Sequence, residues 1–252
     1  MTISVAQAQL FFLAFTRIMA IIIHVPVLGG QNIPSQVRIG LGLVLAVVLI
    51  PWQPLPPEAI SIGTLAYGIA IGKEIIIGTL IGFAADLAFG AIQMAGSAMG
   101  MGSGFESSRI FNPALGEAGS SFDQIFVMTA AMIFLVIDGH HIFLIALQNT
   151  FKVLPLNGSL PFQGMEEILI ASSVFISAGI HMALPVMAAL VLTDLALGLL
   201  ARVAPQVQVY FLGLPVKVVV AMIAMGMTFA SIFPYLSSMF KSMAENMVLF
   251  VE

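Results

Sequence analysis

The sequence predicts an all-α, membrane-associated fold of helical hairpins, with about six to seven apolar helices, and three observations carry that expectation. Hydrophobic residues make up 60% of the chain and charged residues 8%, with a mean hydropathy of +1.10, against about 25% charged in an ordinary soluble domain. From Ile60 to Met101 the only charges are Lys73, Glu74 and Asp86, an apolar run too long for a water-soluble fold and suited to a bilayer. Along that run Glu74, Gly78, Gly82, Asp86, Gly90, Met94, Ala98 and Gly102 recur at every fourth position. On a helix this makes a ridge of small and acidic residues that another helix can approach closely. The ridge is therefore expected to face helix partners more than lipid.

Apolar segments fall at 10–30, 38–51, 60–82, 83–101, 124–147, 168–193 and 207–239; periodicity does not place the cut within 60–101. The opening MTISVAQAQL has no basic n-region, so the first helix is expected to stay in the mature protein. Pro26 and Pro185 lie inside apolar runs, where each should end or kink a helix. The 38–51 segment is short for a bilayer core about 30 Å thick. Pro51, Pro54, Pro56 and Pro57 around Trp52 make a stiff connector, and Asn157-Gly158 with Pro161 marks a turn. No charged or Ser/Gly-rich linker divides the chain, which reads as one domain. Arg38, Arg109, Lys152, Arg202 and Lys241 are spread about one to a connection, so the positive-inside rule has little asymmetry to act on.

A charge inside an apolar segment costs a few kcal/mol on insertion scales and usually faces protein or water. Arg17 and His24, seven apart, share a helix face; Glu74 and Asp86 lie on the ridge; Asp194, Gly198 and Arg202 repeat its spacing. Pairing across helices is the main expectation for these groups, with an ion relay, a pore or a partner chain as alternatives. Catalytic patterns fail one by one. Gly68 to Lys73 approximates a phosphate loop but is one residue short, with Glu74 where Ser or Thr should bind magnesium. Ser103 lacks the glycines of a nucleophile elbow at Met101 and Phe105. His140 and His141 are adjacent and should diverge on a helix, and no Cys completes a zinc set. His181, alone in its segment, is expected to make a helix contact. Neither enzyme chemistry nor a metal or cofactor is expected, and with a net charge of −4 and no basic patch, nor is nucleic acid.

Two features remain. Met94, Met99 and Met101, interleaved with Gly96, Gly100 and Gly102, could form a deformable lining beside a channel or simply pack. Residues 104–123 then form the longest polar stretch, mixing Phe105, Ile110 and Phe111 with Glu106, Ser107, Ser108, Arg109, Asn112, Pro113 and Glu117. A loop of this length without secondary structure is often functional.

From Arg17 to Pro234 the order of features resembles the flagellar biosynthetic protein R family, the R-type subunit of the type III secretion export gate. The residues that carry it are PVLGGQNIPSQVRIGLGL, EIIIGTLIGFAADLAFGAIQMAGSAMG, DGHHIFLIALQNTFKVLPL and ALPVMAALVLTDLALGLLARVAPQVQVYFLGLPVKV. The APQ followed by a G-x-P-x-K turn is the most specific of them. Ser97 and Asp194 depart from the residues frequent there, which puts a family role for those two side chains in doubt. The resemblance implies a non-enzymatic subunit of the bacterial inner membrane and flagellar basal body, with a P-like part at about 1–190 and a Q-like part at about 191–252. It further implies a helical pore complex with P-type and Q-type subunits, neighbouring B-type and A-type export proteins, and unfolded flagellar proteins as cargo. It also implies that residues 105–113 belong to a plug closing the pore. An injectisome subunit and a solute or ion transporter using Glu74, Asp86 and Asp194 are the alternatives.

Overall fold

A computed structural model describes residues 4–30, 33–49, 63–104, 121–158, 160 and 165–251. Its regular structure is entirely helical: α1 (Val5–Ile23), α2 (Pro26–Gly29), α3 (Ser35–Leu49), α4 (Thr64–Ser103), α5 (Ser121–Val136), α6 (Gly139–Val153), α7 (Met165–Val203) and α8 (Val209–Leu249). The fold is thus all-α, as its composition requires. From Thr64 onward the segments expected at 60–82 and 83–101 are one helix, because nothing in Thr64–Ser103 interrupts the backbone hydrogen bonds until Gly104, whose φ of +80° closes α4. The apolar segment at 124–147, by contrast, breaks where Asp138 takes a φ of 56°. Four helices are long and apolar enough to cross a membrane, or five if Phe122–Val136 and Gly139–Val153 count as one span. That is fewer than expected, since α3 is too short. The proline connector at 51–57 and Pro161 lie outside the described residues.

Local chemistry sets the remaining helix ends. Ser4 caps α1 through a capping box: its hydroxyl accepts the Gln7 N–H at 3.2 Å, while the Gln7 side chain accepts the Ser4 N–H at 2.9 Å. His24 ends α1, Val25 is extended, and Pro26 opens α2 at a position where its missing N–H costs nothing. Pro185 is accommodated inside α7, and Pro215 and Pro234 inside α8.

The chain forms two compact units. The first comprises residues 1–87, 139–172 and 241–252; the second comprises 88–138 and 173–240. In the first, α1 lies against α4, and the numbers of their contacting residues rise together. Tyr67 donates to the Gln9 carbonyl at 3.5 Å, Arg17 meets Glu74, Ala20 faces Gly78 and His24 faces Gly82. The two helices therefore run parallel, with Leu13, Ile18, Ile21, Ile77 and Ile81 fully buried. In the second unit Phe134 joins Phe89 and Phe240, with ring centroids 6.1 and 5.1 Å away, and Phe126 stacks on Phe229 at 5.4 Å. These edge-on and offset arrangements suit the ring quadrupole.

Phe134 is fully buried and touches two rings, so Phe134→Ala should lower stability by about 3–5 kcal/mol and Phe134→Leu by much less. Denaturant unfolding of the purified chain in detergent, followed by circular dichroism, measures this. A loss below about 1 kcal/mol for the alanine variant would show that the cluster does not hold the second unit.

Candidate functional site

The charges that the apolar helices carry are gathered into specific pairs. At the centre of the first unit Arg17 and Glu74 are both completely buried, and the Arg17 Nε–H donates to Glu74 Oε2 at 2.5 Å. Arg17 also donates through Nη1 to the Leu154 carbonyl at 2.6 Å and through Nη2 to the Pro155 carbonyl at 3.3 Å. The guanidinium carbon lies 4.7 Å from the Phe151 ring centroid, within cation–π range. The other Glu74 oxygen accepts the Asn157 N–H at 2.8 Å. Two oppositely charged side chains on parallel helices thus hold the turn after α6, where Asn157 takes a φ of 58°. Because each charged group is met by several hydrogen-bonding partners, the pair can exist without water.

The ridge continues from Glu74. A Cβ added at Gly78 would lie 2.6 Å from the Ala20 Cβ and 2.7 Å from the Arg17 carbonyl oxygen; one added at Gly82 would lie 2.9 Å from the His24 Cβ. Both positions admit glycine alone because α1 is pressed against them. One turn on, His24 Nδ1 and Asp86 Oδ2 are 2.5 Å apart. Over this stretch the helix partner expected for the ridge is the chain's own α1. The reason is that Arg17 and His24, seven residues apart on one face of α1, meet the two acidic residues of the ridge, Glu74 and Asp86. Gly90 differs, since a Cβ there meets nothing within 4 Å. In the second unit Gly102 lies against Leu190 and Met187, and Gly96 against the Asp123 backbone.

The other candidates fall as follows. Met99 is fully buried, Met94 touches Gly179 of α7, and Met101 is 63% exposed, so among the three Met101 is the one that faces outward. Asp194 forms an ion pair with Lys217 beside a groove of about 240 Å³ lined by Leu197, Gly198, Tyr210 and Gly213. Arg202 is exposed near the end of α7. The His140 and His141 rings are 4.4 Å apart, closer than adjacent helical positions were expected to bring them. Phe105, Glu106, Ser107, Ser108, Arg109, Ile110, Phe111, Asn112 and Pro113 lie outside the described residues. Sequence reasoning missed Lys217 as the partner of Asp194, although its G-x-P-x-K context is visible. It also missed the Leu154 and Pro155 carbonyls, whose only trace is the neighbouring Asn157-Gly158 turn signal.

Comparison with known proteins returns one consistent answer. The family model described as "Bacterial export proteins, family 1" matches residues 8–243. The chain is 32% identical to the "Flagellar biosynthetic protein FliR" of Bacillus subtilis, covering 94% of this chain and 92% of that one, and 29% identical to its Escherichia coli namesake, covering 92% and 88%. It is also 32% identical to the "Secretion system apparatus protein SsaT" of Salmonella typhimurium, but over 62% of this chain and 61% of that one.

Arg17→Ala should destabilise the chain by about 3–5 kcal/mol by stranding the Glu74 carboxylate, whereas the paired change Arg17→Met with Glu74→Leu should cost much less than the sum of the single changes. Unfolding of the single and paired variants in one detergent gives the coupling energy. Additive losses would mean that the two groups act independently.

Proposed function

Because the chain belongs to the bacterial export proteins, family 1, we propose that it serves as a subunit of the flagellar type III protein export gate and forms part of the pore for unfolded flagellar proteins. The observation that carries this reading is near full-length similarity to flagellar relatives in both directions. An injectisome gate is the second reading, supported by SsaT, and the shorter coverage of that match favours the flagellar one. A transporter coupled through buried acids is the weaker reading on physical grounds. Glu74, Asp86 and Asp194 each already hold a cationic or imidazole partner, which suits helix register better than ion exchange.

Within the gate the chain assembles with P-type and Q-type subunits, beside the B-type and A-type export proteins, in the inner membrane at the basal body. The long apolar faces support this. The most apolar stretches of α7 and α8 bury only 17% of their residues, and Leu192, Leu199, Val203 and Phe211 are each largely exposed. The stretch after Gly104 acts as the plug. A pore wide enough for an unfolded chain would leak ions at rest, so it needs an obstruction that yields to cargo. Phe105, Ile110 and Phe111 can dewet a constriction, and the sequence here supplies Gly102, Gly104, Gly116 and Gly119, the residue type whose backbone is least restricted.

Deleting the gene in its own host should abolish hook-protein export and motility, with both restored by the intact chain. Motility unchanged with effector secretion lost would favour the injectisome instead. Deleting residues 106–118 in assembled gates should raise membrane conductance in patch recordings and slow growth. Conductance equal to that of the intact gate, with assembly normal, would remove the plug from this proposal.

A further inference from the structure

The first unit carries a groove of about 550 Å³ between α6 and the last turns of α8. Its floor is apolar, with Ile142, Ile145 and Val248, and Ile145 is 59% exposed. Lys241 and Glu245 stand on its α8 wall, Asn149 on its α6 wall. Lys241 and Glu245 are exposed and one helical turn apart, and among the described residues neither has an ion-pair or hydrogen-bond partner. This sets the groove apart from the sites of Arg17, His24 and Lys217, which are all matched with acids.

We infer that this groove is the docking site for one helix of a partner protein, which places a carboxylate opposite Lys241 and a cationic side chain opposite Glu245, with small or apolar residues between them. The wall from Lys241 to Leu249 extends about 12 Å at 1.5 Å per residue, which is room for two turns of a helix. Two free charges of opposite sign specify both the register and the direction of that helix, as complementary charges do at protein interfaces. An acyl chain fits the same groove less well, because it would leave both charges facing hydrocarbon. This inference rests on the chain being a subunit of a larger gate and names one surface by which it is held there.

The chain contains no cysteine, so Ile145→Cys, with Leu249→Cys as a second reporter in case the first misfolds, gives a single label site. Each is treated with a water-soluble maleimide in three settings: the chain in detergent, the chain alone in phosphatidylethanolamine–phosphatidylglycerol vesicles, and the purified gate. Labelling should be fast in the first two and about tenfold or more slower in the gate. Combining Lys241→Glu with Glu245→Lys should return labelling in the gate to the rate in detergent, since it opposes both interfacial charges. Protection already present in vesicles would give the groove to lipid and overturn the inference. Equal rates in detergent and gate, or protection indifferent to the charge swap, would overturn it as well. A gate that forms with this chain yet leaves the label site at position 145 open refutes the docking site alone, whereas failure of the chain to enter any export gate refutes the functional reading too.

Discussion

The buried ion pair of Arg17 and Glu74 is the constraint on which the first unit depends. Desolvating either charge alone would cost several kcal/mol, so the fold is viable only if α1 and α4 keep the register that joins them. That register has two further consequences. It brings Ala20 and His24 onto Gly78 and Gly82, where any side chain would collide, and it leaves the guanidinium facing two carbonyls of the 154–155 backbone. A turn more than a hundred residues away in sequence is thereby fixed to the first helix. Coulomb attraction, close helix approach and the placement of a distant turn are thus one structural requirement.

The second unit is built on a different principle. Its core is aromatic and aliphatic, with Phe89, Phe134 and Phe240 in mutual contact and Val186 and Leu190 buried. The Asp194–Lys217 ion pair found there is partly exposed rather than sealed. Such a pair adds little to stability, but it holds two apolar helices to one register without leaving a lone charge in a low-dielectric setting. Specific charge geometry organises one unit, and hydrophobic packing the other.

Much of this was legible in the sequence, for identifiable reasons. Composition and the Ile60–Met101 run determined the class, because no other use of so many apolar residues is physically available. The four-residue ridge marked the close approach of a helix at Gly78 and Gly82, since glycine at that spacing removes the side chains that keep backbones apart. It did not distinguish them from Gly90, where an added Cβ meets nothing within 4 Å. What the sequence could not show was which helix would fill it. Arg17 and His24 signalled a shared face, but nothing in their spacing distinguishes an internal partner from an external one. The carbonyls that complete the Arg17 site were also invisible, because a backbone acceptor carries no residue code. The break at Asp138 was missed for a related reason: a left-handed residue inside an apolar run leaves the hydrophobic pattern unchanged.

The exposed surface of α7 and α8 follows from the same physical balance. Leu192, Leu195, Leu199, Val203, Tyr210 and Phe211 leave far more apolar area uncovered than an isolated soluble chain tolerates. Lipid could cover it, yet hydrocarbon offers no preference for one helix orientation over another, and the small residues along these helices favour close contact with protein. Gly198 and Gly226 meet nothing within 4 Å. Such positions allow a neighbouring helix to come near at little entropic cost, whereas against lipid they would forfeit the contacts that a larger side chain makes. The first unit seals its central charges within itself, while the long helices of the second expose apolar shape. A chain so divided is suited to a place inside an assembly, where neighbouring helices complete what its own sequence leaves open.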